Sequence, residues 1–280
     1  MSKLLHAEFS RLIKNKIFLL GLLVMTGVPL YGVGVRYYEY YFTQTTIWET
    51  ADGLWFVGGI YLAVVLSVFI SLFIGTEFND GTVRNKLTVG HTRDEIYLSN
   101  LIACTCVSLF YHIIYIAVLF GAGTLLLKTW ETPLKTLGIM TVLSLAAVIA
   151  LSAVFTMLAM LIHSRSAGAV TAMLVAMAML IGAVTIFSML TAPEFIENTF
   201  EMSIDGEIVP GDPIPNPRYL TGVKREVYRQ ILNLMPVGQM IRFGNLEYSA
   251  DMSALPLYAA GITLVCTITG LALFRRKDIR

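Results

Sequence analysis

The chain has 280 residues, 56% of them hydrophobic and 14% charged, with a formal net charge of +1 and a mean hydropathy of +0.71. A soluble domain carries roughly 25% charged residues, so this composition excludes one water-soluble core and points to an integral membrane protein. The net charge excludes no class of partner; the distribution of charge along the chain is the informative quantity.

Residues 1–16 are polar and basic. Leu5, Phe9 and Leu12 recur at i, i+4 and i+7 with Ile13 alongside, while Lys3, Arg11, Lys14 and Lys16 fill much of the rest. This pattern predicts an amphipathic helix lying in the membrane interface. It serves either as an anchor that orients the chain or as an elbow helix that touches a soluble partner. The apolar run that follows, 17–35, is longer than a signal-peptide core and reads as a retained first span. Gly27, Pro29, Gly32 and Gly34 make its second half deformable, which neighbouring helices must support.

Five further segments are long and apolar enough to span: 54–74, 101–127, 139–162, 169–190 and 257–274. None of the six holds Asp, Glu, Lys or Arg, each of which would cost ~2.5–3.5 kcal/mol at a helix centre. The expected fold is an all-α polytopic membrane protein, one transmembrane domain over 1–280, with helices as the only plausible spanning structure. Lys3, Arg11, Lys14, Lys16, Arg84, Lys86, Arg93, Arg165, Arg275, Arg276, Lys277 and Arg280 fall on one side; Arg36, Lys128 and Lys135 fall in the short loops of the other. Both termini are therefore expected in the cytoplasm. Trp48, Trp55 and Trp130 then lie on the outer side, where aromatic rings favour the headgroup layer.

Cys104, Cys106 and Cys266 sit inside apolar runs, and the first two point about 200° apart on a helix. That pair cannot build a metal site or a disulfide, so all three read as lipid- or core-facing thiols. His112, beside Tyr111 and Tyr115, is the one candidate intramembrane ionisable residue. These three are candidate polar residues of a translocation path, with an interior hydrogen-bonded role as the plainer reading. In the fifth span, Ala172 with Ala176 and Ala178 with Gly182 allow close packing, a weak signal in an apolar helix.

The polar stretch 76–100, TEFNDGTVRNKLTVGHTRDEIYLSN, lies between the second and third spans. Asn79 or Asp80 is placed to cap a short helix, Thr82–Thr88, whose Val83 and Leu87 share one face. Gly90 closes it in a left-handed conformation. Thr92 and Glu95 form a capping box that opens the helix leading into the third span. The stretch is thus helix, turn, helix. It is either a solvated basic loop that fixes topology or a docking helix for a cytoplasmic engine.

The segment 191–256 is the only sizeable non-membrane piece. It begins acidic, with Glu194, Glu197, Glu201, Asp205, Glu207 and Asp212, and Pro210, Pro213, Pro215 and Pro217 forbid regular helix there. Leu220, Val223, Val227, Ile231 and Leu234 then mark one face of a helix that Pro236 and Gly238 are expected to end, with 240–248 leading to the last span.

Residues 73–100 resemble the corresponding loop of bacterial ABC exporter permeases of the type-2 family. Glu77, Gly81, Thr82, Arg84, Asn85, Lys86 and Arg93 match that family's acidic edge, Gly-Thr pair, basic short helix and Arg entering the third span. The order of elements is similar over nearly the whole chain, while the acidic Pro-rich prelude at 194–217 is longer than in minimal members. The resemblance implies a half-transporter on which two cytoplasmic ATPase subunits act, paired with a second permease copy or a related one. It places Thr82–Thr88 in a groove of the ATPase, with Arg84 and Lys86 on the ATPase surface. Val83 and Leu87 lie either in that groove or packed against the membrane ends, and short re-entrant pieces fall near 234–248. The implied cargo is an amphipathic or hydrophobic peptide, antibiotic or lipid-like molecule; no nucleic acid is implied.

No catalytic, metal or cofactor site is expected in this chain. It has no G-x-x-x-x-G-K-[ST] sequence to cradle phosphates, so ATP and magnesium belong to the partner. H-E-x-x-H, G-x-S-x-G and paired intramembrane carboxylates are likewise missing. The alternatives are a secondary transporter working through His112, or a membrane sensor or immunity component that binds an external peptide through 191–256.

Overall fold

A computed structural model describes residues 1–43, 51–127, 130–162, 164–202, 208–244 and 250–278. Trp48, Lys128, Asp205, Glu207, Tyr248 and Arg280 lie outside the described residues. Ten α-helices are described: α1 (Ser2–Ile13), α2 (Lys16–Tyr38), α3 (Val57–Asn79), α4 (Thr82–Thr88), α5 (Arg93–Leu126), α6 (Leu134–Leu161), α7 (Arg165–Leu190), α8 (Gly222–Asn233), α9 (Pro236–Gly244) and α10 (Leu255–Arg276). Six of them, α2, α3, α5, α6, α7 and α10, are long and apolar enough to cross a bilayer. The chain is an all-α polytopic membrane protein.

Helices α3 and α6 form the centre of the bundle. The first packs on α2, α5, α6, α7 and α9, the second on α3, α5, α7, α9 and α10. Helices α2, α7 and α10 sit outside and keep apolar side chains exposed, among them Leu23, Leu174 and Leu264. The buried residues of α7 are the small Gly168, Ala172, Ala176 and Ala183 together with Leu180, and small residues let helix backbones approach closely. Of the two expected small-residue pairs, Ala172 with Ala176 is inward, whereas Ala178 is exposed.

An even number of spans returns the chain to its starting end. The α1 helix, α4, the α6–α7 turn and the end of α10 lie together there, tied by bonds such as Lys277 Nζ to Met160 O at 2.6 Å. This end is called basal below, and the opposite end distal. At the distal end Trp55, Phe120 and Trp130 pack edge-to-face and stacked, at 5.3–6.2 Å between centroids. Trp55 is 5% exposed and donates to Thr141 Oγ1 at 2.9 Å. It is a core residue of this cluster.

Several sequence expectations are corrected. The inward face of α1 is Leu4, Glu8 and Leu12, while Phe9 and Ile13 are exposed. The charge on that inward face, Glu8, is paired with Arg11 and Lys86. Neither Asn79 nor Asp80 caps α4; its N-cap is Gly81 at φ +67°, with no side-chain bond. Gly90, at φ +98°, takes the expected left-handed turn. Helix α8 ends at Asn233, just before Pro236 as expected, but Pro236 and Gly238 also belong to a further helix, α9, because proline suits the first helical turn, where its missing N–H costs nothing. The segment in which the prolines are expected to forbid helix holds none, and forms an antiparallel hairpin, β1 (Phe195–Met202) with β2 (Ile208–Pro215). Its prolines are tolerated because each strand of a two-stranded sheet is an edge.

Tyr115 of α5 lies against α3 where Gly58 leaves room. A Cβ at Gly58 would meet the Tyr115 ring at 2.4–2.7 Å. Gly58→Ala should therefore lower stability in detergent by about 1–3 kcal/mol, the usual cost of overpacking, as read from unfolding midpoints against the wild type.

Candidate functional site

The basal end holds a cluster of charges from three helices and an amide from a fourth. Glu8 and Arg11 come from α1, Glu77 from α3, Lys86 from α4, and Asn100 from α5. Both carboxylates are 1% exposed. Lys86 Nζ donates to Glu8 Oε1 and to Glu77 Oε1. Arg11 reaches Glu77 Oε1 at 2.6 Å and Glu8 Oε2 at 2.9 Å, with its guanidinium 3.8 Å above the Phe73 ring. Asn100 Nδ2 donates to Glu77 Oε2 at 3.0 Å. Two carboxylates and two cations balance in charge, and balance is what makes such burial tolerable. Burial, with the Glu77 carboxylate alongside, pushes the Glu8 carboxyl above its ordinary 4.5, against the pull of Arg11 and Lys86.

The geometry assigns each expected residue of the 76–100 stretch a place. Val83 is buried and Leu87 packs on the core, so both anchor α4 to the bundle. Lys86, expected on the docking face, turns inward because the two carboxylates behind it offer a better partner than water. Arg84, Asn85, Thr88 and Val89 face out, Val89 at 80% exposure. Gly81 and Thr82 form the turn into α4.

A second set of contacts clasps α10 to α5 and α6. Arg93 Nη1 donates to Phe274 O at 3.0 Å and to Lys277 O, satisfying carbonyls left over at the end of α10. Arg275 binds Asp94 in a two-pronged pair at 2.6 and 2.7 Å. Lys277 lies 4.2 Å above the Phe78 ring, and burial pushes its ammonium down to about 8. The Thr92–Glu95 capping box is present, and Glu95 also meets the N-terminal amine at 3.2 Å.

The three candidate path residues are fully buried inside the chain. Tyr111 donates to Phe18 O at 2.7 Å and Tyr115 to Leu54 O at 2.9 Å. His112 Nε2 lies 2.9 Å from Ser144 Oγ, joining α5 to α6. These contacts bind helices of one subunit to each other. Among the described residues no group of three His, Cys, Asp or Glu side chains could hold a metal ion. Cys104 and Cys266 are buried and Cys106 exposed, all as free thiols.

Sequence reasoning missed Glu8, Arg11 and Asn100 as partners of Glu77. A signal was present: Glu8 is the only acidic residue in the first 16, four positions from both Leu4 and Leu12. An acid centred on an apolar stripe calls for a buried cation.

Six apolar spans around a basal platform of helices tied by buried charge define a multi-pass membrane domain. The profile described as "ABC-2 family transporter protein" matches residues 4–179, more than half of the chain, and the chain belongs to that family. The match runs from the first turn of α1 through α6 and holds every residue of the basal charge cluster. The chain is thus an ABC transporter permease, the membrane subunit of its system. No curated protein matches it.

Proposed function

We propose that the chain is the permease of an ATP-driven exporter in the bacterial cell membrane, with the basal end cytoplasmic. It works beside a second copy or a related permease, and two separate ATPase subunits hold ATP and magnesium. The ATPase docks on the exposed face of α4, made by Arg84, Asn85, Thr88 and Val89. The observation that carries this reading is the way α4 is held. Its outward face is exposed, while Lys86 and Val83 fix its inner face to α1 and α3.

A seven-residue helix on a mobile loop would yield under load. Here displacement of α4 must carry Glu77 and Glu8 with it, since separating either carboxylate from its cations leaves a buried charge unpaired. Arg11 and Asn100 extend the same grip to α1 and α5. Arg93 and the Asp94–Arg275 pair pass it on to α10. ATP-driven approach of two α4 helices then tilts α3 and α5 as levers and opens a path where the permeases meet. The cargo is hydrophobic or amphipathic.

Inverted membrane vesicles test the reading. Cargo uptake should need ATP and the ATPase subunits, and should survive collapse of the proton gradient. Uptake that persists without the ATPase, or stops when the gradient is removed, would reject it.

A further inference from the structure

At the basal end a slot of 290 Å³ opens where α1, α2 and α5 meet. Its almost purely apolar walls include Phe9 and Ile13 of α1, Phe18 of α2, and Cys106 and Phe110 of α5. Phe18 stacks on Phe110 at 6.1 Å between centroids, which joins two of the walls. Ile13 stays 73% exposed and Phe110 42%, so the slot is open to the surrounding hydrocarbon.

The corner beside the slot is cationic. Ile13 and Phe18 both line it, and the short link between them carries Lys14 and Lys16, both exposed. Among the described residues neither lysine side chain has an ion pair or a hydrogen bond. The nearest acid along the chain, Glu8, is turned inward onto Arg11 and Lys86. Helix α2 starts at Lys16 with no acidic residue in its first turn. The positive end of its dipole therefore adds to the two ammonium groups. A lysine stem can follow apolar surface while its head stays at the polar boundary.

We propose that this slot is a binding site for an anionic phospholipid of the basal leaflet. Its phosphate lies at the α1–α2 corner on Lys14 and Lys16, and the upper part of one acyl chain enters between Phe9, Phe18 and Phe110. A free aqueous anion would gain nothing from the apolar walls. A second copy of the chain, meeting this face about a two-fold axis, would bring its own Lys14 and Lys16 to the same patch with no free acid to oppose them. A zwitterionic head carries an ammonium that finds no open carboxylate here, so a head of net negative charge is preferred. The site stands whether or not the export reading holds.

The test is native mass spectrometry of the full chain, released from bilayers of equal phosphatidylglycerol and phosphatidylethanolamine and stripped of lipid stepwise. The last lipid held by the wild type should favour phosphatidylglycerol about fivefold, the worth of one lysine at a lipid surface. Lys14→Gln with Lys16→Gln should bring that ratio back to the bulk value. Cys106→Trp, which puts a ring into the slot, should remove this last lipid whatever its head. Equal retention of both lipids by the wild type, a preference that the lysine variant leaves intact, or a last lipid that survives Cys106→Trp would each overturn the proposal. Both lysines are exposed, so their variant keeps the fold, and size-exclusion profiles verify this for each protein before ratios are compared.

Discussion

Lys86→Ala is expected to destabilise the protein by about 3–5 kcal/mol, the cost of removing one partner from a buried ion cluster. The variant leaves Glu8 and Glu77, each 1% exposed, with Arg11 as their shared cation. Lys86→Met combined with Glu8→Gln should recover all but about 1–2 kcal/mol, because Arg11 and Glu77 remain as a neutral pair. Chemical unfolding in detergent provides both values, and a Lys86→Ala cost below about 1 kcal/mol would show that the cluster holds nothing together.

The same variant has a defined pH dependence. In the native protein the Glu8 carboxyl titrates above its ordinary 4.5. Its ionisation therefore costs folded-state stability as pH rises through that raised value, and the cost is absent below the ordinary one. Lys86 pulls the value down, so deleting it raises the Glu8 value further. The deficit of Lys86→Ala should accordingly widen as pH rises and narrow below about pH 4.5. Unfolding curves of wild type and variant across that range provide the comparison.

Much of this architecture was legible in the chain. Uninterrupted apolar runs fix all six spans, since a lipid-buried backbone has no alternative to helix. The α4 helix, the turn at Gly90 and the Thr92–Glu95 cap also follow from local chemistry, because their contacts lie within a few residues. Interactions across long sequence separations were not legible. Lys86 and Glu8 are 78 positions apart, and Arg93 and Phe274 are 181 apart. Basic residues beside a membrane all look solvated in sequence, so Lys86, turned inward, and Arg84, turned outward, could not be told apart. The distal loop failed differently. The prolines told only that the segment is not helix, and a pairing of residues as far apart as Phe195 and Pro215 is not written in local chemistry, while Pro236 even starts a helix.

The outward residues of α4 carry the second large expectation. Arg84→Glu with Val89→Asp should abolish ATPase binding and ATP-dependent transport while leaving the fold alone. Both side chains are exposed and neither belongs to the basal cluster, so the stability change should stay within about 0.5 kcal/mol. This separates docking from grip: Lys86→Ala should lose stability first, whereas the outward pair should lose only the partner.

The most direct measurement is therefore quantitative co-purification of the ATPase with the Arg84→Glu, Val89→Asp double variant from membranes, alongside its unfolding curve. A near-complete loss of captured ATPase with an unchanged curve is the predicted result. ATPase captured at the wild-type level by a well-folded variant would contradict the placement of the docking surface on α4.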